Sequence, residues 1–182
     1  MSFTGASILS IEQFSLDDVE RIFAVADRMQ PFASRERVTK ALDGAILGNI
    51  FLEPSTRTRI SFGSAFNLLG GHVRETSDIS SSAFVKGESL QDSARILSGY
   101  SDIICLRHST SGSVEKFAKH SRVPVINGGD GANEHPTQAL LDLFTIKKEL
   151  RAKNRDINNL RIALVGDLLF GRTVHSLSLI HI

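Results

Sequence analysis

An α/β fold, a parallel sheet flanked by helices, is predicted by three observations. Apolar segments of strand length alternate with segments whose apolar residues recur at helical spacing. The strand segments are near-continuous apolar runs, the pattern of strands covered on both faces. The 182 residues, 41% hydrophobic and 23% charged, have ordinary globular composition and suffice for one full domain and the start of another.

The elements follow in order. Ser15 opens a helix carrying Leu16, Val19, Ile22, Phe23, Ala26 and Met29, with Pro31 expected beyond its end. The run Ala45 to Leu52 reads as a buried strand, broken by Pro54-Ser55. A helical pattern with Ile60, Phe62, Phe66, Leu68 and Leu69 then runs to a stop at Gly70-Gly71. His72 to Thr76 is a further strand, and the polar stretch Ser77 to Gly87 a long loop. Leu90, Ala94 and Leu97 mark a helix, Asp102 to Arg107 a strand, Val114 to His120 a helix and Val123 to Ile126 a short strand. Pro136 suits the first position of a helix reaching Leu150. These elements make a first domain, residues 1–150. A polar linker, Arg151 to Asn159, and a new strand, Arg161 to Gly166, open a truncated second α/β domain over residues 151–176.

Composition excludes several classes. A net charge of +1 gives no bulk attraction to nucleic acid or anionic membranes, so an anion site must be built locally. No apolar run is long enough to span a bilayer, and Met1-Ser2-Phe3-Thr4 lacks the regions of a signal peptide. The single cysteine, Cys105, lies between Ile104 and Leu106 and reads as a buried thiol, so a reducing cytoplasm is expected. There is no Gly-Lys-Ser/Thr, and the glycines of Asn127 to Gly131 and Val165 to Gly171 fit dinucleotide spacing poorly. The histidines at 72, 108, 120, 175 and 181 form no ligand-spaced cluster, so neither metal nor cofactor is expected.

In open α/β sheets, ligands bind beyond the carboxyl ends of the strands. After the first strand comes Glu53-Pro54-Ser55-Thr56-Arg57-Thr58-Arg59, which puts hydroxyls, guanidinium groups and free backbone N–H groups at a helix N-terminus. Such a terminus favours anions, and arginine adds planar donors that match phosphate. Ser55 alone reads as a helix cap; the whole cluster reads as a phosphate site. Arg107 follows a later strand on the same sheet edge, and His135-Pro136-Thr137-Gln138 places an imidazole and an amide at another helix start. The serine-rich segment around Ser82 and Lys86 reads, on physics alone, as a surface loop.

Two of these segments resemble signatures of the carbamoyltransferases. They are Phe51-Leu52-Glu53-Pro54-Ser55-Thr56-Arg57-Thr58-Arg59 and His135-Pro136-Thr137-Gln138-Ala139-Leu140-Leu141-Asp142-Leu143. Thr137 and Val85-Lys86-Gly87-Glu88 are similar to the aspartate rather than the ornithine branch, and Gly171-Arg172-Thr173-Val174-His175 resembles the start of its aspartate domain. The resemblance implies that Ser55, Thr56, Arg57 and Thr58 bind phosphate and that Arg107 reaches phosphate and carbonyl oxygen. It implies that His135 and Thr56 polarise the carbonyl, and that Gln138 holds the carbamoyl amide. It places Ser82 and Lys86 in a neighbouring subunit's site within a homotrimer, and Arg172 on a carboxylate of aspartate. Lys86 would also help phosphate leave.

The expected activity is transfer of the carbamoyl group of carbamoyl phosphate to L-aspartate, the reaction of pyrimidine biosynthesis, without cofactor. Regulatory chains or a dihydroorotase as partners are left open. The alternatives are a carbamoyltransferase for another amine, such as ornithine, and a non-catalytic structural paralogue. The family's second domain needs on the order of 150 further residues, so this chain by itself is expected to be inactive. Its final residues, Leu177-Ser178-Leu179-Ile180-His181-Ile182, equal the translation of CTG TCT CTT ATA CAC ATC, a transposon end used in sequencing libraries. They are expected to be adapter-derived and to carry no fold information.

Overall fold

The computed structural model describes residues 2–76, 87–157 and 160–181. A single 3-10 turn, Ile11–Gln13, precedes α1, Leu16–Ala33. α1 starts after Ser15, as the sequence suggests, and Ser15 and Asp18 form a reciprocal capping box there. Pro31 lies inside α1 and not beyond it. In the last turn its missing N–H forfeits a single helical bond, and the helix closes three residues later through Ser34.

Four strands follow: β1 Ile46–Phe51, β2 His72–Thr76, β3 Ile103–His108 and β4 Val125–Asp130. They form one parallel sheet in the order β2-β1-β3-β4. Between the strands run α2 Thr56–Leu68, α3 Leu90–Leu97 and α4 Ser113–Ala118, followed by α5 Pro136–Ala152 and α6 Arg172–His181. Both faces of the sheet are covered, which is why the strands read as continuous apolar runs. Along β1 and β3, Ile50, Ile104 and Leu106 face one layer with Val114 and Phe117 of α4. Leu47, Phe51 and Cys105 face the other, with Phe62 and Phe66 of α2. The Cys105 thiol is fully buried, and desolvation pushes its ionisation far up, so it is a packing group.

Two further sequence expectations change. Strand β4 continues through Asn127-Gly128-Gly129-Asp130, beyond Ile126 where the sequence reading ends the strand. A side chain at Gly128 would sit 3.1 Å from the Cys105 sulfur and 3.3 Å from the Leu106 carbonyl oxygen. Glycine there lets β4 lie against β3. The segment expected as a strand at 161–166 forms none, since a strand needs a ladder and no described strand neighbours it. Val165 within it is 94% exposed.

The N-terminal segment covers the outer edge of β4. Ile8 donates to the Val125 carbonyl at 2.8 Å and accepts from the Asn127 N–H at 2.8 Å. That pairing removes a free strand edge. A third apolar cluster joins Ile11, Val19 and Phe23 to Ala139, Leu140 and Leu143 of α5 and to Leu177 of α6. Leu177 is the first of the six residues assigned above to an adapter; its burial reflects apolarity and says nothing of its origin.

Candidate active site at the carboxyl ends of β1 and β3

The chain leaves β1 for β2 on one side and returns to β3 on the other, so strand order reverses between β1 and β3. A crevice opens at such a point, beyond the carboxyl ends of the two strands. Here it is a cleft of about 1080 Å³, lined among others by Ser55, Thr56, Arg57, Thr58, Arg107, His135, Gln138 and Arg172. Eight of the ten residues selected from the sequence therefore meet in one place. The other two, Ser82 and Lys86, lie outside the described residues.

The α2 terminus supplies one wall. Its first helical bond runs from the Arg59 N–H to the Ser55 carbonyl at 3.3 Å, so the N–H groups of Thr56, Arg57 and Thr58 precede the ladder. Ser55 is the N-cap residue, but its hydroxyl makes no capping bond. The simple capping role is thereby ruled out, and the hydroxyl is left for another acceptor or donor. The two arginines diverge. Arg57 is exposed, lines the cleft and has no ion pair among the described residues. Arg59 turns to β2, its Nε 3.9 Å from Glu75.

Glu53 organises the opposite wall. Arg172 grips its carboxylate with two bonds, Nη1 to Oε2 at 3.1 Å and Nη2 to Oε1 at 2.9 Å. Arg107 Nη2 reaches Oε1 at 3.3 Å, and its Nη1 donates to the Gly128 carbonyl at 3.4 Å. Burial works against the Glu53 charge, but the hydrogen bond from Arg172 and the charges of Arg107 and Arg172 outweigh it and hold the carboxyl below its ordinary range. Two guanidinium groups share one carboxylate, so the cluster keeps a net positive charge for a ligand. Buried Arg107 Nε has no hydrogen-bond partner among the described residues. Gly129, at φ +118°, makes room for this arrangement: a Cβ there would lie 2.7 Å from Arg172 Nη1 and 3.3 Å from Arg107 Nη1.

His135 forms the third wall. It is the N-cap residue of α5, 5% exposed, with Pro136 as the first helical residue. Its backbone N–H donates to Ser176 Oγ at 3.0 Å, and Ser176 donates to Glu134 Oε2 at 3.0 Å. Glu134 also accepts from the Ser10 hydroxyl at 2.5 Å and the Ile11 N–H at 3.0 Å, which ties the N-terminal segment to this loop. Desolvation, then the charges of Arg107 and Arg172, push the imidazole down to about 4. The ring is therefore neutral near pH 7 and available as a hydrogen-bond partner without adding charge. Gln138 Nε2 donates to Asp142 Oδ1 at 3.0 Å.

Glu53, Gly129, Glu134 and Ser176 carry no role in the sequence reading. Glu53 stands inside the phosphate cluster, and its charge, opposite to that of the arginines beside it, was the available signal. The others act through contacts across the fold.

A helix terminus, three cleft arginines and a buried neutral imidazole make a cleft of an α/β domain suited to an anion. The family model of the aspartate/ornithine carbamoyltransferase carbamoyl-P binding domain matches residues 6–148, and the chain belongs to that family. It is 70% identical over 177 residues to the aspartate carbamoyltransferase catalytic subunit of Cellvibrio japonicus, covering 97% of this chain and 52% of the relative. The subunit from Saccharophagus degradans gives the same identity and coverage. Among solved structures, aspartate transcarbamoylase from Trypanosoma cruzi in complex with carbamoyl phosphate and aspartate superposes with a TM-score of 0.90 at 41% identity. That match covers 97% of this chain and 57% of the other. The chain spans about half the length of the curated relatives it matches.

Proposed function

We propose that this chain is the carbamoyl-phosphate half of an aspartate carbamoyltransferase. The observation that carries the reading is the convergence, at one switch point, of the α2 terminus with Arg57, the Glu53-linked arginines and the neutral His135. In this reading the phosphate sits on the N–H groups and hydroxyls of Ser55, Thr56 and Thr58, with Arg57 as the cation free to pair with it. Arg107, Thr56 and His135 address the carbonyl oxygen, and Gln138 the carbamoyl amide. Residues 1–150 form the carbamoyl-phosphate domain, and residues 151–176 lead into the aspartate domain, where Arg172 takes a substrate carboxylate.

The chemistry needs no covalent enzyme intermediate. The amine of aspartate attacks the carbamoyl carbon and forms the new C–N bond, and negative charge gathers on the carbonyl oxygen. The C–O bond to phosphate then breaks, phosphate departs with the electron pair, and the amine loses a proton. Each preorganised donor on the carbonyl oxygen is worth about 3 kcal/mol in such a step. Lys86 and Ser82 reach a neighbouring subunit's site in a homotrimer. The enzyme is cytoplasmic; among the described residues no helix is long and apolar enough to cross a membrane.

Titration calorimetry with carbamoyl phosphate tests this reading. Arg57→Ala is expected to weaken binding by at least tenfold, about 1.4 kcal/mol, the size of a lost charge-assisted pair. Its unfolding midpoint should not move, because the side chain is exposed and has no ion pair among the described residues. Unchanged affinity would exclude this phosphate site.

A further inference from the structure

Arg59, the second arginine of the phosphate cluster, does not line the cleft. We propose that it anchors the anion-binding end of α2, and that Asn49 and Glu75 are the positioning residues that hold it. Asn49 and Glu75 are neighbours in the register of β1 and β2, so their side chains leave the same face of the sheet. Asn49 Nδ2 donates to the Arg59 carbonyl at 2.9 Å and to Glu75 Oε1 at 2.9 Å. Both partners accept only, so the amide is fixed with its nitrogen towards them. The other oxygen of that carboxylate, Oε2, lies 3.9 Å from Arg59 Nε. The backbone and the guanidinium of Arg59 thus meet one Asn49–Glu75 pair.

Asn49 is the one polar side chain of β1. It is fully buried, and its Oδ1 has no hydrogen-bond partner among the described residues. An unmet oxygen works against the core, and a leucine of similar size would carry none, so packing alone does not account for the amide. The start of α2 needs a hold of this kind. Ser55 makes no capping bond, no acidic residue lies in the first turn, and the opening helical bond from the Arg59 N–H to the Ser55 carbonyl is long, at 3.3 Å. Phe62 and Phe66 pack the later turns against the sheet. Among the described residues, no other side chain outside α2 hydrogen-bonds to the backbone of residues 56–59. The N–H groups of Thr56, Arg57 and Thr58 lie within one turn of the held carbonyl, so its place sets theirs. Gly63 leaves room for the pair: a Cβ there would lie 3.2 Å from Glu75 Oε1 and 3.6 Å from Asn49 Nδ2. Of the two arginines, Arg57 meets the ligand and Arg59 fixes the helix that presents it.

This inference rests on the proposed function in taking the α2 terminus as the phosphate site. The probe is carbamoyl phosphate, titrated by calorimetry into the folded 182-residue chain. Amide hydrogen exchange at residues 59–62 without ligand reports the helix end itself. Asn49→Leu is expected to exchange about tenfold faster there and to bind about tenfold more weakly. Arg57→Ala, in contrast, should bind weakly with exchange unchanged. The Glu75 side chain is 39% exposed, so Glu75→Ala and Glu75→Gln carry the test if Asn49→Leu fails to fold. Both remove the same charge, which by itself would strengthen anion binding. Only Gln keeps an oxygen for Asn49, so Glu75→Ala should bind about fivefold more weakly than Glu75→Gln. A contact that serves stability alone would move the unfolding midpoint and leave the affinity of the folded chain where it was. Equal affinity in folded Asn49→Leu and wild type, or in Glu75→Ala and Glu75→Gln, overturns the proposal while the phosphate site stands. A wild-type chain that binds no carbamoyl phosphate refutes the phosphate site, and this role with it.

Discussion

Acidification should unfold this domain partly through His135. Its imidazole is 5% exposed and is pushed from 6.5 down to about 4 by desolvation, with Arg107 and Arg172 adding repulsion. The unfolded chain takes up the proton as pH falls through about 6.5, and the folded chain only near 4. Across that window the unfolded state holds more protons, so stability rises with pH. The contribution is fully present above about 6.5 and is lost as pH falls to about 4. The displacement corresponds to about 3 kcal/mol, an upper bound because a partly opened loop would solvate the ring. Denaturant unfolding of the 182-residue chain between pH 4 and 7 measures it, with His135→Gln as the reference. Gln keeps a polar group at the site and removes the titration, so the difference between the two profiles isolates the imidazole. Paired carboxylates such as Glu53 steepen both curves and cancel in the comparison. Parallel profiles, or a ring that titrates near 6.5 in the folded chain by NMR, would refute the reasoning. Either result would also mean that the imidazole is not held neutral by the arginines and its burial.

Three further outcomes are expected. Ser55→Ala should change stability by less than about 0.5 kcal/mol, because no capping bond exists to lose, yet weaken carbamoyl phosphate in calorimetry. Gly129→Ala should destabilise by about 1–3 kcal/mol in denaturant titration, since a Cβ at φ +118° is strained and meets Arg172 at 2.7 Å. In a full-length enzyme, Lys86→Ala and Arg57→Ala subunits should each be inactive alone and recover part of the activity when mixed. Continued inactivity after verified subunit exchange would place each site within a single chain.

Much of the fold was legible because burial on both sheet faces and helical period leave separate marks. Ile103 to Leu106 is an apolar run that suits a doubly covered strand, and Ser15 followed by apolar residues at helical spacing announces α1 before any contact is known. Errors fell where a local rule met a tertiary one. Pro31 reads as a terminator but sits in a terminal turn that tolerates it. Gly128 falls past the expected strand end at Ile126 but lies within β4, where the Cys105 sulfur leaves room for no side chain.

What the sequence by itself determined is the alternation of elements and the residue types placed after each strand. Hydroxyls and arginines at a helix start suit an anion, because the unpaired N–H groups are local. Only the tertiary structure decided how those residues are used. It sent Arg57 into the cleft and Arg59 to Glu75, and it joined Arg107 and Arg172, 65 positions apart, through Glu53. It also buried His135 beneath their charges, which is what makes the imidazole neutral. Pairing, burial and charge state depend on which distant groups share a dry space, and no local stretch of sequence carries that information.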